Sequence, residues 1–457
     1  MPGPPPSTPA ICKRKPLHVK ILLGLLIGAG LGLICNVLAS QGWIGPEATQ
    51  AIEWTASNLA DPIGRIFLRL ILMVVLPLVF SALALGVYEL GDVRRLGSVG
   101  LRTLGLTILA SGCAVALGIG LVSLIRPGES LSVEKRDELR RQYQDDATQT
   151  VSNAAQAKSI KDTLLDIIPE NPLQEMVGAL DGSSPGNGLL SVMFFSLAIG
   201  VALLYAGPRT ATLLRLLEGT FDVSMAVIGF AMKLAPHCVA CLLFSVTSRL
   251  GADILLTLVW FVLTVLVGML LQLVVVYGVM LRWLGKRSPL EFYRDIFEAM
   301  LTAFATSSSN ATLPTSLRVA RERLGLPADI SQFVLTIGST GNQNGTALYE
   351  GVVVLFLAQL FGVELTLLQQ LVVVLMSMLA GVGTAGVPGG SLPLIVVVLG
   401  SVGVPGEGIG IVLGIDRILD MCRTVLNVTG DLVLATCVAA QSPGPHQEKP
   451  LPVTNDT

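Results

Sequence analysis

Residues 341–351 read Gly-Asn-Gln-Asn-Gly-Thr-Ala-Leu-Tyr-Glu-Gly. The run before them, Val-Leu-Thr-Ile-Gly-Ser-Thr at 334–340, is largely apolar. So is the run behind, Val-Val-Val-Leu-Phe-Leu-Ala-Gln-Leu-Phe at 352–361. Asn342, Gln343, Asn344, Thr346 and Glu350 thus sit within a segment greasy enough for lipid. A bilayer core has no water to satisfy polar groups, so non-helical backbone there must face protein or a wet cavity. The stretch therefore reads as a break in a membrane helix, where freed carbonyls bind a cation and side chains line a cavity.

Composition extends this reading to the whole chain. Of 457 residues, 52% are hydrophobic and 14% charged, with a mean hydropathy of +0.71. A soluble domain carries about 25% charged residues. The shortfall is spread along the chain, which makes this an all-α polytopic membrane protein with the lipid bilayer as its surroundings. A net charge of −2 gives no reason to propose nucleic acid as a partner. The apolar run at 20–38 is too long for a signal core and lacks a clear cleavage site before Gln41, so it reads as the first spanning helix. Gly24, Gly28 and Gly32 recur every four residues along it, a smooth face for close helix packing. The seven cysteines are scattered and imply no disulfide framework. His237, Cys238 and Cys241 have no second pair to complete four metal ligands, so no cofactor is expected.

Apolar blocks fall near 18–40, 61–88, 101–126, 188–206, 221–247, 252–284, 328–361 and 408–440, eight candidate spanning segments. Basic clusters at Lys13–Lys15, Arg94-Arg95, Arg282–Arg287 and Arg318–Arg323 put the N-terminus and the connections 89–100, 282–294 and 318–326 in the cytoplasm. The polar stretch 127–163 then lies outside, and residues 1–17 and 441–457 are cytoplasmic tails. Two tips interrupt the pattern: Ala-Thr-Ser-Ser-Ser-Asn-Ala-Thr-Leu-Pro-Thr at 305–315 and Gly-Val-Gly-Thr-Ala-Gly-Val-Pro-Gly-Gly at 381–390. The arm 365–380 spans about 24 Å as a helix, short of the ~30 Å hydrocarbon core. Residues 290–326 and 365–404 therefore read as re-entrant hairpins. Each is followed by a polar-bearing helix, 328–361 and 408–440. Paired interrupted segments in corresponding positions mark a transporter binding site between repeats.

Segment 414–431 holds Asp416, Asp420, Arg423, Asn427 and Asp431 at spacings of 4, 3, 4 and 4. At 100° per residue they share a stripe about 80° wide. A charge at the bilayer centre costs roughly 2.5–3.5 kcal/mol even on the lenient scale, so such a stripe must face a polar cavity and find partners. An arginine fork grips a carboxylate, and an aspartate one turn away suits an amine. Three carboxylates against one arginine leave negative charge for an ammonium group, protons or metal cations. The implied ligand is a small zwitterion with an extra acid, such as aspartate or glutamate.

At these residues the chain resembles the glutamate transporter family, the dicarboxylate/amino acid:cation symporters. Ser-Ser-Ser-Asn-Ala-Thr-Leu-Pro-Thr resembles the first hairpin's motif, Gly-Thr-Ala-Gly-Val-Pro-Gly the second's tip. Leu-Gly-Ile-Asp-Arg-Ile-Leu-Asp-Met-Cys-Arg-Thr-Val-Leu-Asn-Val-Thr-Gly-Asp resembles the last-helix motif. The resemblance runs from about 18 to 440 and implies eight transmembrane helices, two re-entrant hairpins and inverted repeats. It implies a homotrimer in the cell membrane, with a trimerisation scaffold at 18–99 and 164–250. An elevator-like transport domain would comprise 100–126 and 251–440, including both hairpins. Arg423 would hold the substrate's side-chain carboxylate and Asp420 its amino group. Thr346, Thr424 and Asn427 would add hydrogen bonds. Ser308, Ser309 and the backbone around Val387 would close on the main-chain carboxylate.

Departures from the family's pattern bear on the coupling ion. Sodium-dependent members read Asn-Met-Asp-Gly-Thr where this chain has Asn342-Gln343-Asn344-Gly345-Thr346. A tyrosine, threonine and serine of the third helix correspond to Thr107, Ala110 and Ser111. Loss of a carboxylate and two oxygen ligands leaves little for a hard cation. The resemblance implies that another sodium site survives in part, with its ligands matched by the Gly338 carbonyl, Asn342, Asn427 and Asp431. Glu350 matches the position of the mammalian transporters' proton-carrying glutamate; burial in an apolar helix suits such a carboxyl to load and unload protons at working pH. The arginine that the family keeps beside the first hairpin's serines or the last-helix aspartate is absent, with Ser307 and Met421 in those positions.

The sequence thus reads as a symporter of acidic amino acids, proton-coupled and sodium-independent. The alternative is a sodium-coupled dicarboxylate or amino-acid symporter with fewer sodium ions. An intramembrane hydrolase is a remote reading, since Gly182-x-Ser184-x-Gly186 lies in a loop-like stretch rather than at a strand-to-helix elbow. A passive channel is disfavoured by a stripe shaped for a bound zwitterion.

Overall fold

The computed structural model describes residues 17–90, 98–132, 134–137, 168–178, 189–383 and 391–441. Among them the chain is all-helical, with no strand. The helices are α1 (Leu17–Ser40), α2 (Pro46–Thr55), α3 (Asp61–Leu90), α4 (Ser98–Ile125), α5 (Pro172–Gly178), α6 (Leu189–Ala206) and α7 (Ala211–Leu250). They continue as α8 (Ala252–Leu271), α9 (Tyr277–Trp283), α10 (Pro289–Asp295), α11 (Phe297–Thr306) and α12 (Ser309–Glu322). The last five are α13 (Ala328–Gly341), α14 (Asn344–Leu360), α15 (Leu367–Gly383), α16 (Leu392–Ser401) and α17 (Ile409–Gln441). The expected tails except Leu17 and Gln441, most of the 127–163 stretch, Ser184 and the tip 384–390 with Val387 lie outside the described residues.

Among the described residues, five helical segments are long and apolar enough to cross a membrane: Val19–Ser40, Pro46–Tyr88, Val99–Ser130, Ser191–Leu250 and Ala252–Trp283. Ser191–Leu250 is about 90 Å of helix at 1.5 Å per residue, far beyond one crossing of ~30 Å. It breaks at Gly207–Thr210, where Gly207 takes φ +66°. The segments after residue 289 miss the test because polar residues or turns divide them, and those interruptions carry the site.

Two groups of helices pack together. In the first, α7 runs along α1 and α3, and α6 packs on α3. The glycine repeat of α1 faces α7: a Cβ on Gly24 or Gly28 would strike the carbonyls of Pro236 or Ala240. Asn36 of α1 caps the end of α7 by donating to the carbonyls of Ser248 and Arg249, at 3.0 and 3.2 Å. In the second group, α4, α8, α13, α14 and the α11–α12 hairpin gather around α17. α14 is buried at every position but Gln359, and most of α17 is buried too. A helix enclosed on all sides reads apolar all round, so the few polar residues on these two must find partners inside the protein. The groups meet where α3 touches α15 and α16, and where α1 and α7 touch α17.

Both hairpin readings correspond to pairs of short helices. α11 and α12 have 10 and 14 residues, α15 and α16 have 17 and 10. At ~1.5 Å per residue none exceeds about 26 Å.

Candidate functional site

The quoted stretch is a helix break. Asn342 (φ −120°, ψ 68°) and Gln343 (φ −99°, ψ 58°) leave helical geometry between α13 and α14. A helix start leaves N–H groups without intrahelical acceptors. Here one acceptor comes from another helix: Asn427 Oδ1 on α17 takes the Gly345 N–H at 2.7 Å. Close approach makes this possible, since a Cβ at Gly345 would lie 2.6 Å from the Arg423 carbonyl oxygen. The Asn427 amide nitrogen donates to Gln343 Oε1 and, at 3.3 Å, to Thr346 Oγ1. Asn427 is therefore wired to the break from both ends.

One turn away lies a buried charge cluster. Arg423 is 1% exposed. Its Nη2 sits 2.9 Å from Asp420 Oδ1 and 3.1 Å from Asp416 Oδ1. Its guanidinium lies over the Tyr349 ring, 4.1 Å from the centroid, a cation–π contact. Among the described residues, Nε and Nη1 have no hydrogen-bond partner. Asp420 Oδ2 takes a second arginine, Arg417 Nη1, at 3.1 Å. The count of three carboxylates to one arginine is thus corrected: Arg417 belongs to the cluster, and two aspartates face two arginines. Thr424 Oγ1 donates to the Asp420 carbonyl at 2.8 Å. Glu350 is fully buried on α14 and neither carboxyl oxygen has a hydrogen-bond partner among the described residues.

Two further clusters flank the break. Asn342 Nδ2 donates to Asp431 Oδ1 at 2.8 Å, and Asn342 Oδ1 is buried without a partner. Asp431 lies against Gly338, where a Cβ would be 2.5 Å from its Oδ1. Three of the four residues expected around a residual sodium ion therefore meet; the Asn427 side chain is engaged at the break instead. The other cluster surrounds Asn344. Ser111 Oγ donates to Asn344 Oδ1 at 2.5 Å, and Asn344 Nδ2 donates to the Tyr277 hydroxyl at 3.0 Å. Tyr277 in turn donates to the Leu426 carbonyl at 3.3 Å. Gln272 Nε2 occupies the Ala110 carbonyl at 3.1 Å.

The first hairpin's tip is a tight turn. Ser307 takes φ +51°, a left-handed conformation uncommon without glycine. Ser308 then caps α12, its Oγ accepting the Ala311 N–H at 3.1 Å. The Ser307 and Ser309 hydroxyls are buried with no partner. Both arms pack against α17. The α15 arm of the second hairpin reaches the break, since a Cβ at Gly381 would lie 3.5 Å from the Gln343 carbonyl oxygen.

Sequence reasoning missed four participants. Arg417 lies about 40° beyond the stripe's edge at 100° per residue, and a two-residue tolerance would have caught it. Tyr349, Tyr277 and Gln272 gave no signal, because an aromatic or a lone amide in an apolar helix has no periodicity of its own.

Comparison with known proteins identifies the scaffold that carries this site. The chain is 33% identical over 422 residues to the proton/sodium-glutamate symport protein of Bacillus subtilis, covering 92% of this chain and 93% of that one. It is 31% identical to the proton/glutamate-aspartate symporter of Escherichia coli, over 85% of this chain and 86% of the relative. An excitatory amino acid transporter of Caenorhabditis elegans matches at 29% over 89% of this chain and 85% of its own. The model of the sodium:dicarboxylate symporter family matches residues 17–441. The chain is a membrane-embedded, multi-pass protein and belongs to the sodium:dicarboxylate symporter family, whose members are transporters rather than enzymes.

Proposed function

We propose that the protein is a secondary active symporter of acidic amino acids, glutamate or aspartate, driven by protons and independent of sodium. The observation that carries the substrate is Arg423, buried between two aspartates with Nε and Nη1 unengaged. A buried guanidinium with free donors is a costly arrangement unless an anion completes it. The relatives' names support the substrate and a coupled proton: one is a proton/glutamate-aspartate symporter, and another is a proton/sodium-glutamate symport protein whose name joins sodium to the proton.

Arg423 grips the side-chain carboxylate and Asp420 takes the ammonium group. Thr346, Thr424 and Asn427 border the substrate. Ser308, Ser309 and the backbone near Val387 close on the main-chain carboxylate. The buried Ser309 hydroxyl has no partner and so has a bond to offer, whereas the Ser308 hydroxyl caps α12 and contributes through its turn. Glu350 carries the proton: it is enclosed, unpartnered and on the same helix as Thr346 and Tyr349. Asn344 supports sodium independence, because its amide is engaged at both ends where a cation would need a carboxylate.

The protein works as a homotrimer in the cell membrane, with both termini cytoplasmic and eight spanning helices plus two re-entrant hairpins per protomer. The α1, α3, α6 and α7 group forms the scaffold, within 18–99 and 164–250. The group around α17, within 100–126 and 251–440, moves as the elevator.

Labelled L-aspartate uptake into proteoliposomes tests this, with sodium and pH gradients imposed separately. Uptake driven by pH alone is expected. Strict dependence on sodium instead favours the alternative, a sodium-coupled symporter whose cation sits at Gly338, Asn342 and Asp431.

A further inference from the structure

Asp420 has two guanidinium partners, one on each carboxylate oxygen: Arg423 Nη2 at 2.9 Å on Oδ1 and Arg417 Nη1 at 3.1 Å on Oδ2. Arg417 comes three residues earlier on the same helix. Exposed pairs at that spacing contribute only about 0.2–0.5 kcal/mol. Here both side chains are 12% exposed, so solvent does little to screen them. The Arg417 Nε is buried without a partner.

The geometry of the fork makes this second arginine matter. A guanidinium holds a carboxylate with two N–H groups along one edge. Its two such edges are Nε with Nη2 and Nη1 with Nη2, so each includes Nη2. In Arg423, Nη2 donates to Asp420 and lies at ion-pair distance, without a hydrogen bond, from Asp416, while Nε and Nη1 are free among the described residues. A two-pronged hold on a substrate carboxylate draws on Nη2 and so displaces Asp420 from it. Asp420 has a second cation to stay with when displaced.

We propose that Arg417 is a positioning residue for the substrate. It retains Asp420 while Arg423 turns to the substrate carboxylate, and Asp420 then exchanges one guanidinium for the substrate's ammonium group. Without Arg417 that exchange passes through a buried, uncompensated carboxylate, and the empty site carries one more negative charge against an anionic ligand. The ligand class that benefits carries an ammonium and a carboxylate within reach of both residues. Arg417 thereby supplies, from a third position, the extra arginine that Ser307 and Met421 lack.

This inference rests on the acidic-amino-acid reading of the site. The test is uptake kinetics of full-length protein in proteoliposomes with L-aspartate, comparing Arg417→Gln and Arg417→Lys. Arg417→Gln is expected to raise KM about tenfold or more with Vmax within about twofold, and Arg417→Lys to stay within about threefold in KM. A merely structural role lowers Vmax and thermal stability in both variants without separating them by charge. Unchanged KM in Arg417→Gln overturns the proposal. So does a rise of about tenfold in a normally stable Arg417→Lys, since lysine keeps the charge. If Arg417→Gln does not assemble, Arg417→Met takes its place, with the same expected rise in KM and the same overturning result. A parent protein that takes up no acidic amino acid sinks the functional reading instead, and is distinguished because it fails before any substitution is made.

Discussion

Two buried polar clusters sit close together along α14 and α17, and they are built on opposite terms. Around Asn344 the groups are neutral: Ser111 and Tyr277 engage both ends of its amide, and Tyr277 passes a bond on to a backbone carbonyl. Around Arg423 the groups are charged, and donors remain free. A satisfied neutral network fixes helices in one arrangement and takes nothing more. A charged cluster with free donors is poised to accept a ligand. The difference separates polar residues that hold this membrane protein together from those that do its work.

The strongest way to break the comparison is at Arg423. Arg423→Ala removes the proposed substrate anchor and leaves Asp416 and Asp420 without their shared cation. Truncating one partner of a buried, hydrogen-bonded charge pair between protein and ligand costs roughly 2–5 kcal/mol of binding, so L-aspartate uptake below saturation is expected to fall about 100-fold or more. Uptake by assembled variant protein at the parental rate means the open cluster is not the substrate site. Glu350→Gln comes next. It keeps the shape of α14 and removes one titrating group. Exchange of internal for external aspartate is expected to continue, while accumulation driven by an imposed pH gradient is lost. Each unit of pH is worth up to about tenfold accumulation per proton, so the contrast is large. Persistent accumulation means that another group carries the proton.

How legible these clusters were in the sequence depends on what each is made of. The charged stripe could be read from spacing alone, because Asp416, Asp420, Arg423, Asn427 and Asp431 stand out against a hydrophobic helix and their period is that of α-helix. The break at Asn342-Gln343 was legible for the same reason: amides flanked by glycine have no cause to be in lipid otherwise. The glycine face of α1 was legible as well, and it does pack on the backbone of α7. Which residues pair was not. Asn427 shares the stripe with Asp431, yet its side chain caps α14 rather than joining the Asn342–Asp431 pair. That choice depends on two helices touching at Gly345, a tertiary fact with no local signature. Arg417 was hidden because a long side chain reaches back onto the stripe from outside it.

The neutral cluster offers a smaller, sharper test. Asn344→Asp places a carboxylate between the Ser111 and Tyr277 hydroxyls, oxygen ligands of the kind a hard cation takes. The variant is expected to gain a sodium response that the parent lacks. At sodium near ten times its Kd, binding stabilises by roughly 1.4 kcal/mol. Thermal unfolding of detergent-solubilised protein with and without sodium reads this directly. A parent protein stabilised by sodium as much as the variant overturns the claim that Asn344 closes the site.

The smallest expected effect on transport is at Ser111. Ser111→Ala leaves Asn344 Oδ1 buried without its donor, at a cost of about 1–3 kcal/mol of stability. If the cluster is structural, the loss appears in the unfolding temperature and not in KM for L-aspartate or in the response to sodium. Ser111 comes from α4 and Asn344 from α14, so the bond ties together two helices that pack closely along their length. Weakening it loosens that contact without touching Arg423. A KM that shifts with Ser111→Ala while the unfolding temperature stays constant would mean the two clusters are one site, and that the neutral network also shapes what the charged one binds.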